Sequence, residues 1–216
     1  MLSHLERINL FLDDVPDDFL RETVRALDQL YPSTYDETAE LPAQYQRYLR
    51  PHLLRTKAEI GVLTLARRCQ LACDSRRNRS KDAHALILTD HVVLTVSRTD
   101  GPAVPPRRAA FRVNYAKLAN HWLPLPEFAH EQAPVEVRED DPRIYVVIAH
   151  GPTIGKWRDL GFAYANFLAE DGVSYTGQGI DLLRRYAAAS PEADVEQVQE
   201  PEFPPQVDDE HAGGKD

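Results

Sequence analysis

Asp82, His84, Asp90 and His150 carry the carboxylate and imidazole groups that divalent metals accept as ligands. Gathered into one site, they would hold a metal that activates water against an ester or phosphodiester bond, the chemistry of a metal-dependent hydrolase or nuclease. Their spacing argues against a ready-made set. If residues 83–98 form a hairpin, His84 and His91 stand at opposite ends of one strand, about 20 Å apart at ~3.3 Å per residue. Residues from elsewhere would have to complete the site. For the stretch KDAHALILTDH, which offers Asp82, His84, Asp90 and His91, turn residues plus a strand histidine account for the pattern without a metal.

Two other constellations carry less. Cys69 and Cys73 lie one turn apart if their segment is helical, but a structural zinc site needs four ligands and the sequence holds only two cysteines. Small buried core residues are the expected reading. The stretch HGPTIGK, His150 to Lys156, has the glycines and lysine of a phosphate loop. Gly151 and Gly155 are one residue too close for that loop, and Trp157 stands where a magnesium-binding hydroxyl belongs, so a Gly-Pro turn fits better. No Ser-His-Asp or Cys-His arrangement stands out, so no catalytic residue is assigned and no cofactor is expected.

The basic residues have a mechanism of their own. Arg67, Arg68, Arg76, Arg77, Arg79 and Lys81 are positioned to neutralise phosphates, each contact releasing counterions. This run lacks aromatic residues for base stacking, which leaves sequence-specific single-strand recognition unsupported. The competing reading is a solvated helix end that pairs with an acidic partner surface.

These residues need elements to hold them. Thr56 and Glu59 have capping-box spacing. Val62, Leu65, Ala66, Cys69 and Cys73 then recur at three- and four-residue steps, which predicts a buried helix from Thr56 to Ser75 with arginines at its exit. Residues 83–98, AHALILTDHVVLTVSR, predict a hairpin turning at Thr89-Asp90 or Asp90-His91. Either turn puts Ala83, Ala85, Ile87, Val92, Leu94 and Val96 on the core face. Ahead of these, residues 2–12 and 17–31 read as helices, the second ended by Pro32, and Pro42 opens a short helix that Pro51 interrupts. After the hairpin, Phe111, Val113 and Tyr115 alternate as a third strand. RIYVVIAH, Arg143 to His150, is a buried strand, and residues 161–169 lean to strand. Residues 180–189 close the fold as a helix capped near Gln178.

The expected fold is α+β: a helical N-terminal third packed on a mostly antiparallel sheet, a closing helix and a flexible acidic tail. Residues 1–189 form one domain, with a helical part at 1–80 and a sheet part at 83–189, and residues 190–216 form the tail. A chain of 216 residues can bury a core of that kind. The net charge of −9 conceals a segregation: residues 1–40 carry −7, residues 45–81 carry +8 and residues 187–216 carry −8. No apolar run approaches the ~20 residues of a membrane span. The first residues lack the unbroken apolar core of a signal peptide, and two cysteines make no disulfide framework. A cytoplasmic location without a membrane partner is expected. The leading functional expectation is a non-catalytic regulatory or interaction protein whose basic helix end meets nucleic acid, another polyanion or an acidic protein surface. The sequence leaves the oligomeric state open.

Overall fold

The computed structural model describes residues 2–77, 83–121 and 143–187. Three helices come first: α1 (His4–Asp14), α2 (Asp17–Glu37) and α3 (Ala43–Arg68). Strands β1 (Ala72–Arg77), β2 (Ala83–Leu88) and β3 (Val92–Arg98) follow, then α4 (Ala110–His121). The chain closes with β4 (Ile144–Thr153), β5 (Lys156–Phe167), β6 (Ile180–Asp181) and α5 (Leu182–Ala187). One six-stranded sheet runs β1-β2-β3-β4-β5-β6. Every neighbouring pair is antiparallel except β3 and β4, where Val92 pairs with Ile144 in parallel.

The sheet buries both faces. On one, α1, α2, α3 and α5 cover alternating strand residues, among them Ile87, Leu94, Val96, Ile144, Val146 and Ile148. On the other, α4 brings Tyr115 and Ala116 against Leu86, Val93, Tyr145 and Val147. The hairpin partition is therefore as its alternation requires. Ile87 pairs with Leu94, and the Thr89 amide donates to the Val92 carbonyl at 3.0 Å, which makes Asp90-His91 the turn. The second hairpin face is covered more fully than its mixed composition implies, because α4 lies over it.

Several boundaries differ from the sequence pattern. The capping box forms at Ser3 and Glu6, opening α1. Thr56 and Glu59 lie inside α3, which begins at Ala43 and passes through Pro51. Likewise α2 passes through Pro32 to Glu37. A proline inside a helix costs about 3 kcal/mol, and packing beyond it offsets that cost: Thr34 and Thr38 are buried after Pro32, and Leu54 and Ala58 after Pro51. Helix α3 also stops earlier than its apolar stripe. Gln70 adopts φ 58°, the Leu71 amide donates to Ala66 O and the Gln70 amide to Arg67 O, the bond pattern of a helix-ending motif usually built on glycine. Residues 72–77 are consequently a strand, so Cys69 and Cys73 are not helical neighbours.

Residues 110–115 are helical as well. Phe111 and Tyr115, four positions apart, meet as one face of α4 with ring centroids 6.0 Å apart. The closing helix starts at Leu182, and the Asp181 carboxylate accepts the Arg184 amide as its cap, three residues beyond Gln178. HGPTIGK is the end of β4 and the tip of an antiparallel hairpin into β5, with Gly155 at φ 78° in the turn and no helix after it. The tail, residues 190–216, lies outside the described residues, as does LPLPEFAHEQAP.

Candidate polyanion-binding face

Helix α3 is longer than the sheet it covers. Its buried residues begin only at Leu54, so the preceding turns project past the end of the sheet. Helical phase defines what they present. Tyr45, Arg47 and Tyr48 each stand about five turns, at ~3.6 residues per turn, before Leu63, Leu65 and Ala66 and share their azimuth. Those three are buried, Ala66 wholly, whereas Tyr48 is 68 % and Tyr45 53 % exposed. The core-facing stripe of α3 thus continues beyond the core as an uncovered face. His52 stands beside Tyr48 there, with ring centroids 5.1 Å apart.

The charge of this overhang has one sign. From Ala43 to Ala58 the sequence carries Arg47, Arg50, Arg55 and Lys57 and no acidic residue. Structural partners take up three of these cations. Arg50 lies 4.2 Å from the Tyr35 ring centroid and donates to Thr38 Oγ1. Arg55 pairs with Glu59, and Lys57 with Glu37. Arg47 is exposed and makes no ion pair or hydrogen bond among the described residues. Beside the overhang, Arg158 from β5 joins Asp36 at 3.1 Å and shares the Tyr35 ring, while Arg98 lies over Trp157. Ile154, at the tip of the β4–β5 hairpin, is 97 % exposed. Ionised side chains and flat rings therefore alternate around this end of the molecule, the two kinds of group that phosphates and base faces would require.

The six basic residues expected to line one helix end are divided by the fold. Arg67 and Arg68 occupy the last turn of α3, exposed and free of ion pairs among the described residues. From there the chain turns back, and β1 carries it roughly 17 Å, at ~3.3 Å per residue, to Arg76 and Arg77. Arg77 pairs with Ala83, so the five intervening residues, which include Arg79 and Lys81, must join β1 to β2 at that end. They lie outside the described residues. In the same ladder the Arg76 backbone is registered with His84. The paired backbones of Arg77 and Ala83 thus lie at the end of the sheet over which α3 projects, and Arg67 and Arg68 lie at the other. Tyr45 and Tyr48 are the contributors that charge counting overlooks. The signal was a helical phase shared with the core, legible only once α3 is seen to outrun the sheet.

The candidate metal ligands are dispersed. His84 points to the α4 layer, buried, its ring stacked on Phe111 with centroids 3.9 Å apart. His150 lies on the opposite face of the sheet, where its Nδ1 and the Tyr31 hydroxyl share a 2.9 Å hydrogen bond. Burial, with the nearby Arg98 charge, pushes the His150 imidazole down to about 3, so it is neutral across the physiological range. Asp90 is exposed in the turn at the far end of β2, and Asp82 lies outside the described residues. Among the described residues no three His, Cys, Asp or Glu side chains come together as a metal site, and no helix is long and apolar enough to cross a membrane. No family model, no curated protein and no solved structure matches this chain.

Proposed function

We propose that the protein is a non-catalytic nucleic-acid-binding protein of regulatory or interaction type, whose α3 overhang and basic β1–β2 connection grip a single strand. The observation that carries this reading is the exposed pair Tyr45 and Tyr48 beside the unpaired Arg47, on a helix face with no carboxylate for four turns. Phosphates meet Arg47 and the arginines of the β1–β2 connection, and bases stack on the tyrosine rings. A duplex offers the same phosphates but hides its base faces, so the rings favour unpaired strands.

Fluorescence anisotropy with labelled single-stranded DNA and RNA, duplex DNA and heparin tests this. Tyr45→Ala with Tyr48→Ala should weaken single-strand binding by about 1–3 kcal/mol per stacked base while leaving heparin affinity unchanged. Charge reversal at Arg76, Arg77 and Arg79 should weaken every polyanion and flatten the slope of log affinity against log salt. Affinity that ignores salt and all five residues would refute the reading, and cleavage of the probe on adding magnesium would revive the hydrolase alternative.

A further inference from the structure

We propose that Arg7 and the first turn of α1 form a binding site for a phosphate monoester, at the end of the sheet away from the α3 overhang. Arg7 carries the proposal. It is 7 % exposed, and among the described arginines it is the one that is buried. Arg21, Arg25, Arg55, Arg98, Arg158 and Arg185 reach solvent more freely, yet each has a carboxylate oxygen within 4.0 Å. Arg7 has none among the described residues. Its Nε donates to the Leu2 carbonyl at 3.4 Å, long for such a bond, and its Nη1 is enclosed without a partner. Burial pushes the guanidinium below its ordinary range, and no carboxylate lifts it back. Taking a charge out of water is costly unless an opposite charge meets it. Nothing described on this chain supplies that charge, so an anion from outside is the fitting partner.

The guanidinium is aimed at the start of a helix. Leu2 immediately precedes the N-cap Ser3, so the bond to Leu2 O sets the cation beside the first turn of α1. The capping box takes up the Ser3 amide on Glu6 and the Glu6 amide on Ser3. That leaves the His4 and Leu5 amides without helical acceptors. Free amides and the dipole of a helix start both favour an anion. A tetrahedral phosphate can accept from the guanidinium fork and from a helix amide at once, whereas a carboxylate spends both oxygens on the fork.

The surroundings define the way in. His4 lies edge-on to Phe167 with ring centroids 5.9 Å apart, and a Cβ added at Gly177 would stand 2.5 Å from His4 Nδ1. Protein closes that side. Ser3, Leu5 and Glu6 are exposed on the other, which leaves room for the ester substituent in solvent. The Glu6 carboxylate is the one charge here that opposes the ligand. Phe167 ends β5 and Trp157 begins it, so the site stands roughly 30 Å, at ~3.3 Å per residue, from the rings and cations of the overhang. It does not rest on the single-strand reading.

Nuclear magnetic resonance of the full chain tests the site. Inorganic phosphate and methyl phosphate, each compared with sodium chloride at matched ionic strength, should move the His4 and Leu5 amide signals and the Arg7 Nε signal saturably. Phosphate should also raise the melting temperature, as a ligand of the folded state does. Arg7→Met keeps the length of the stem and removes the charge. It should abolish the shifts, and in phosphate-free buffer it should melt no lower than wild type, because a buried charge without a partner is gone. Glu6→Gln preserves the capping box and removes the opposing charge, so it should tighten phosphate binding several-fold. Tyr45→Ala with Tyr48→Ala should bind phosphate as wild type does. Wild-type shifts no larger than those in chloride would overturn the proposal without need of any variant. So would failure of methyl phosphate to bind, or an Arg7→Met protein that gains as much stability from phosphate as wild type.

Discussion

His150 is wholly buried, and its imidazole is held neutral by the desolvation that charging would demand. Unfolding returns it to water, where it titrates near its ordinary 6.5. Between that value and about 3 the unfolded chain binds a proton that the folded chain refuses, so this group makes stability rise with pH across that window. Its contribution is complete above pH ~6.5 and falls as the medium is acidified, by at most ~1.4 kcal/mol per pH unit. Urea melts at several pH values from about 7 to 5, above the range where carboxylates dominate, should show that slope for wild type. His150→Gln should lower stability at pH 7 and shallow the slope, and an undiminished slope would place the titration elsewhere. The sequence shows that His150 ends a buried strand. Its partner Tyr31 lies 119 positions away, and no local pattern announces a contact over that distance.

At the scale of elements, alternation was the reliable signal. It located the β2–β3 hairpin, its core face and the strand character of residues 161–167, while the apolar run RIYVVIAH located β4. Leu94, 1 % exposed on the core face, tests that partition. Leu94→Ala should cost about 2–5 kcal/mol through lost burial and the cavity left behind, seen as a lower urea midpoint; an unchanged midpoint would mean the face is not core. What misled was local punctuation. Pro32 and Pro51 look like helix ends, yet packing carries α2 and α3 through both. The true end of α3 is built on Gln70 in a left-handed conformation, a role that composition assigns to glycine. Phe111, Val113 and Tyr115 satisfy a period of two, but the first and third also satisfy a helical step, and the layer over Tyr145 and Val147 selects the helix. The candidate binding face depended on this scale, because exposure of Tyr45 and Tyr48 follows from where α3 begins relative to the sheet.

For the whole molecule, charge is segregated along the chain: +8 over residues 45–81 and −8 over residues 187–216. The last described residues, in α5, adjoin the start of α2, where Tyr186 donates to Asp17 at 2.7 Å. From Ala187 the remaining 29 residues span at most about 100 Å fully extended, at ~3.3–3.6 Å each, ample to reach the basic end of the sheet. Tethering raises the local concentration of those carboxylates to the millimolar range, and their pairing with exposed cations is screened by salt. Truncation after Ala189 should therefore raise single-strand affinity several-fold at low salt and hardly at all at a few tenths molar, read by the same anisotropy titration. Equal affinities at low salt would exclude competition by the tail.

The parallel pairing of β3 with β4 has a consequence in time. Every other neighbouring pair of strands joins segments close in the chain, so each can form as soon as it is made. Strand β3 must wait, because Val92 pairs with Ile144. At ~5–20 residues synthesised per second, that interval lasts about 3–10 s. For those seconds the edge of a strand reading Val92-Val93-Leu94-Thr95-Val96 stands open on the nascent chain. An unpaired apolar edge is the surface that holding chaperones shield and that neighbouring chains on a polysome stick to. Contacts of that kind compete with folding of the sheet until Ile144 arrives to cover the edge.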